Sequence, residues 1–157
     1  MYGLVPFNIS PIQQAIQFGH AVVEYAQSHF NDEDYQSWAT NDKTFIVLNG
    51  GTTNDNPLTQ GTLNQHKMIL SLQGIKNESF REPDLGDQLT AVVFLVDDRI
   101  WDKELWPDYD GPMMQAERYG KKMIPSPIHY KKWEESFGED HVTILWLRDY
   151  LRNFRKA

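Results

Sequence analysis

Apolar residues at Ile12, Ile16, Gly19, Val23, Ala26 and Phe30 alternate between spacings of four and three. That period predicts an amphipathic helix over Ser10–Phe30 with this stripe turned to the core. Ser10, Pro11 and Gln13 fit its start as cap, first-turn proline and the third-position glutamine of a capping box. A second stripe, Gln13, Gln17, His20 and Glu24, runs beside the apolar one. Before this helix, Tyr2–Phe7 reads as a short strand, shortened by Pro6, which cannot donate to a ladder.

Downstream the period changes several times. Asn31 or Asp32 caps a short helix that turns Tyr35 and Trp38 inward. Lys43–Leu48 is a β-branched and aromatic run with little alternation, as in a strand covered on both faces. Asn49-Gly50-Gly51 ends it and opens a long polar loop. Gly61 or Thr62 starts the next helix, with Thr62 and Gln65 as a second capping box and Gly74 as its stop. Ile75–Arg81 alternates like an edge strand, Glu82–Asp87 is a turn by composition, and Gln88–Val96 is a second buried strand. Pro112–Lys122 reads as a short helix. Asp140 caps a final one with Ile144, Leu147, Leu151 and Phe154 on one face and Arg148, Arg152, Arg155 and Lys156 toward its negative end. The order predicts an α/β fold, one domain over 1–157 whose residues 101–157 form an aromatic-rich extension ending in a helix.

Composition narrows the function classes. Apolar residues make up 40% of the chain and aromatics 13%, enough for a packed core. Without cysteine there is no disulfide framework, thiolate metal site or thiol nucleophile. No run approaches the roughly 18 apolar residues of a membrane span, and the first residues lack the basic and apolar regions of a secretory signal. A cytoplasmic location is expected. The net charge of −7 is uneven: residues 1–111 hold 6 Lys and Arg against 16 Asp and Glu, and residues 112–157 hold 9 against 6. The acidic part argues against a long duplex as partner, but leaves room for an RNA end or a small nucleotide.

The candidate chemistry centres on His20. An imidazole beside Glu24 is a candidate general base, or a histidine satisfied by its own helix. Glu82 and Asp84, flanking Pro83, either act on a ligand or are solvated turn acids. Asn49 sits where a strand ends, the usual ligand position in α/β folds. His29, His66, His129 and His141 lack metal-ligand spacing, so neither metal nor cofactor is expected. The aromatics from Trp101 to Trp133 suit core, or a homodimer contact that Trp101→Ala or Trp106→Ala would weaken.

Gln17, His20 and Ala21 in the first helix, Glu82 in FREPDLGDQLTAVVF, and Thr90 opening the last strand resemble the peptidyl-tRNA hydrolase family of archaea and eukaryotes. The resemblance covers roughly the first hundred residues. It implies a small mixed four-stranded sheet with helices on both faces and metal-independent cleavage of the ester between a peptide and its tRNA. His20, Glu82 and Asp84 are then the catalytic candidates, with Gln13, Gln17, Glu24, Asn49 and Thr90 as substrate-binding residues. Gln13 stands where the family carries a lysine, and residues beyond Arg99 have no counterpart. The alternative is a non-catalytic module on the same fold that binds a nucleotide, RNA or protein.

Overall fold

The computed structural model describes residues 1–53, 61–116, 122–136 and 139–157, with the side chains of 122 and 139–142 outside the description. It is mixed α/β. Two compact units divide it, one of residues 1–96 with 154–157 and one of residues 97–153.

In the first unit, β1 (Tyr2–Val5), β2 (Ile46–Asn49), β3 (Asn77–Glu82) and β4 (Gln88–Phe94) form a mixed sheet of order β2-β1-β4-β3. β1 runs parallel to β2 and antiparallel to β4, and β3 and β4 form an antiparallel hairpin. The parallel pair is possible because α1 (Pro11–His29), α2 (Glu33–Ser37) and a π turn at Trp38–Asp42 supply the crossover. α3 (Thr62–Leu72) links β2 to β3. β4 is buried from Leu89 to Phe94, as a central strand between two helical layers should be.

β3 shows the layering residue by residue. Its even positions meet α1: His29 Nε2 lies 3.4 Å from Glu78 Oε1, the His20 ring packs on Phe80, and Gln17 donates to Glu82. Its odd positions meet α3 or the turn after it: Asn77 donates to Ser71, Lys67 to Ser79, and Arg81 to Asn64. This is the two-residue pleat of a strand lying between two helices. On the α1 face, Gly3 lies opposite Val93, and a Cβ on Gly3 would come within 2.2 Å of the Phe18 ring. The missing side chain is the space Phe18 fills. Residues 155–157 cover the outer edge of β2: Asn49 N–H donates to the Arg155 carbonyl, and Ala157 N–H to that of Val47. β2 itself is half-buried except for Leu48, less enclosed than its sequence predicts.

α1 corrects the sequence reading most sharply. It buries Gln17, Phe18, Ala21 and Tyr25. The stripe expected in the core faces away from it: Ile12 is 75% exposed, Ile16 49%, Val23 54% and Phe30 62%. The helix has two apolar sides, and the sheet takes the one carrying Phe18 and Tyr25.

Smaller corrections have local causes. Gly61 precedes α3 without a side-chain cap bond, and the Thr62 hydroxyl accepts from Thr52 N–H at 2.7 Å instead of capping its own helix. Asp32 precedes α2 with its carboxylate turned to His29 and Lys76. Gly74 (φ +71°) ends the turn after α3, as expected.

In the second unit, the helix expected over 112–122 is a strand pair, β5 (Met113–Ala116) against β6 (Lys122–Pro125). α4 (Pro127–Glu135) and α5 (Glu139–Arg152) follow. Asp140, expected as the cap, lies within α5 instead, and its side chain is outside the description. On α5, Leu145, Leu147 and Leu151 are buried, and so is Arg148, which the sequence assigned only to the negative end of the helix. Its guanidinium donates to the carbonyls of Ile100 and Asp102 and to Asp108, which also receives Arg152 and Lys103. No helix among the described residues is long and apolar enough to cross a membrane.

Candidate functional site

The capping box at the start of α1 sets the first candidate. Ser10 N–H donates to Gln13 Oε1 at 3.0 Å, and Gln13 N–H donates to Ser10 Oγ at 3.3 Å. The Gln13 carboxamide oxygen is thereby committed to the helix end.

One turn further along, Gln17 is buried and bonded through both its nitrogen and its oxygen. Its Nε2 donates to Glu82 Oε2 at 2.5 Å, and its Oε1 accepts from the Thr90 hydroxyl at 2.8 Å. Thr90 reaches Gln17 because the hairpin register slips. Phe80 pairs with Ala91 and Arg81 with Leu89, leaving Thr90 as the extra residue of a bulge. Bulges re-aim side chains in this way. The Thr90 hydroxyl also lies 3.3 Å from the Phe80 carbonyl. Glu82 caps the 3-10 turn Pro83–Leu85, where Asp84 N–H donates to its Oε1 at 3.4 Å. Thr90, Gln17, Glu82 and the Asp84 backbone form one hydrogen-bonded series. A carboxylate held at both oxygens keeps lone pairs free for a further donor.

His20 lies three residues after Gln17 on α1, so the two are neighbours on the helix surface. Its ring is exposed and rests on Phe80, centroid to centroid 4.4 Å at 63°. Among the described residues no hydrogen bond joins the imidazole to Glu24, Glu82 or Asp84. The ring is seated by an aromatic edge, not by the carboxylate that sequence assigned to it. Glu24 and the Asp84 side chain are exposed. Asn49 belongs elsewhere: its Oδ1 accepts from Gly51 N–H at 2.9 Å and shapes the loop after β2.

The structure thus gathers Gln17, Glu82 and Thr90, sets His20 and Phe80 beside them, and employs Gln13 and Asn49 as local caps. Phe80 is the residue that sequence reasoning missed. Its signal was the two-residue period with Glu78 and Glu82. Among the described residues no group of three His, Asp or Glu side chains is arranged to hold a metal ion. No protein-family model matches the chain, and comparison with curated proteins finds no match.

Proposed function

We propose that residues 1–96 form a peptidyl-tRNA hydrolase-like unit that cleaves an ester of tRNA or of a related nucleotide ligand. The observation that carries this reading is the Thr90–Gln17–Glu82 series one helical turn from an exposed imidazole. In this reading neutral His20 takes a proton from water as the water oxygen attacks the ester carbonyl. The proton then passes to the departing ribose oxygen as the carbonyl–oxygen bond breaks, giving an acid and a free hydroxyl. Glu82, kept from rotating by Gln17, accepts from the attacking water or from a ribose hydroxyl. Phe80 holds the imidazole plane.

The test is single-turnover hydrolysis of peptidyl-tRNA by the wild type, His20→Ala and Glu82→Gln. A positioned general base contributes about 10²–10⁴-fold, so His20→Ala is expected to lose activity on that order. A wild type without turnover, or a His20→Ala variant as fast as wild type, sinks the catalytic reading.

A second reading is favoured by Gln13. Where the related enzymes carry a lysine, this chain has a carboxamide committed to Ser10 N–H. A site without that cation suits binding without turnover. The non-catalytic module would then hold tRNA or a nucleotide without cleaving it, with affinity that falls as salt is added.

A further inference from the structure

The outward stripe of α1 has the geometry of a helix-pairing seam. Ile12, Ile16, Gly19, Val23, Ala26 and Phe30 follow a strict four-three alternation, the 3.5-residue repeat of a coiled-coil seam, narrower than the stripe of a core helix. α1 already covers the sheet with its opposite side. The four large seam residues are half to three-quarters exposed, and a Cβ added at Gly19 meets nothing within 4 Å. Contiguous apolar patches of this kind on a surface are often functional.

We propose that this face pairs with the same face of a second copy of the chain, helix against antiparallel helix across a two-fold axis. Three features of the sequence favour a second copy. First, the seam is self-complementary in the antiparallel sense. Ile12 meets the partner's Phe30, Ile16 the partner's Ala26, and Val23 the partner's Gly19. At both inner levels a large side chain faces a small one, as interdigitated packing needs, and the relation is reciprocal, as a two-fold contact requires. Second, Glu24 is the only Asp, Glu, Lys or Arg in α1. A chain of net charge −7 can bring two copies together here without opposing like charges across the seam. Third, Gly19 near the middle lets the helix axes approach closely.

The area sets the strength. Nineteen residues at 1.5 Å per residue give a strip about 28 Å long. At about 10 Å wide it covers on the order of 300 Å² per copy, against about 800 Å² in a standard interface. The dimer is therefore weak and reversible. The pairing also sets His20 beside the partner's His20 at one rim of the seam.

Sedimentation velocity of the full chain tests this over about 1–500 μM, which spans the micromolar affinities of a weak dimer. The wild type is expected to shift reversibly from monomer to dimer. Ile16→Glu with Val23→Glu is expected to stay monomeric throughout, with an unchanged circular-dichroism spectrum because both sites are exposed. Orientation is read by cross-linking, against a background free of cysteine. In the antiparallel register, a mixture of Gly19→Cys and Val23→Cys chains oxidises to a heterodimer, and neither variant bridges to itself. Cα atoms more than about 7 Å apart cannot be joined by a disulfide. A wild type that is monomeric at every concentration overturns the proposal. So does a dimer that survives the double glutamate variant, as one formed through the aromatic residues of 101–133 would. Self-bridging of each single variant would indicate a parallel pair and also overturns it.

Discussion

Asp108→Ala is expected to destabilise the unit of residues 97–153 by about 2–3 kcal/mol. Arg148 is 0% exposed, and Asp108 is the only carboxylate its guanidinium reaches among the described residues. Without the acid, the buried cation keeps only the carbonyl dipoles of Ile100 and Asp102. Removing one partner of a buried ion pair costs about 3–5 kcal/mol. The Asp108 side chain is 41% exposed, so water screens part of that loss and the lower figure follows. Arg148→Met, which removes the charge and keeps most of the volume, is expected to cost less than Asp108→Ala. Urea unfolding followed by tryptophan fluorescence reads this unit well, since Trp101, Trp106, Trp133 and Trp146 all lie within it. An unfolding midpoint unmoved by Asp108→Ala would refute the account of the cluster.

The same cluster predicts a pH dependence. The hydrogen bond from Lys103, with those from Arg148 and Arg152, outweighs the effect of burial and lowers the Asp108 carboxyl from 3.8 to about 2. The folded state therefore holds the ionised form more strongly than the unfolded chain does. Its contribution is complete above about pH 4 and is lost as the pH falls through about 2. In Asp108→Asn this part of the acid sensitivity should disappear.

The second large effect is a contrast within one helix. Phe18→Ala is expected to cost about 3–5 kcal/mol, because the ring is buried over Gly3 and packs edge-on against Phe45 at 5.3 Å. Ile16→Ala, at dilutions where the chain is monomeric, is expected to change stability by no more than about 0.5 kcal/mol. Denaturant titration of both variants, followed by circular dichroism, gives the comparison. The reverse ranking would return the four-three stripe to the core and remove the seam from the surface.

That contrast shows why the sequence was legible in some places and not in others. The central strand was readable because Leu89 to Phe94 carry one signal on both faces, and the capping box because Ser10 and Gln13 act within a single turn. Periodicity located α1 but could not orient it. The face that enters the core mixes Phe18, Ala21 and Tyr25 with Gln17, whose amide is bonded to Glu82 and Thr90, distant in sequence. The cleaner stripe belonged to the outside. The burial of Arg148 was not legible for a related reason: a buried cation depends on Asp108 and on the carbonyls of Ile100 and Asp102, far from its own helix. Residues 112–122 were read as helix because strand pairing is a property of two segments, whereas propensity is judged on one.

The slipped register at Thr90 makes one position of β4 dispensable to the sheet. Elsewhere in a strand, losing a residue turns every later side chain to the opposite face. Shortening the chain by Thr90 alone would leave Leu89 against Arg81 and Ala91 against Phe80, the pairs already present. Such a protein should keep a wild-type circular-dichroism spectrum while Gln17 loses its hydroxyl donor, so the scaffold can be separated from its polar centre by removing a single amino acid.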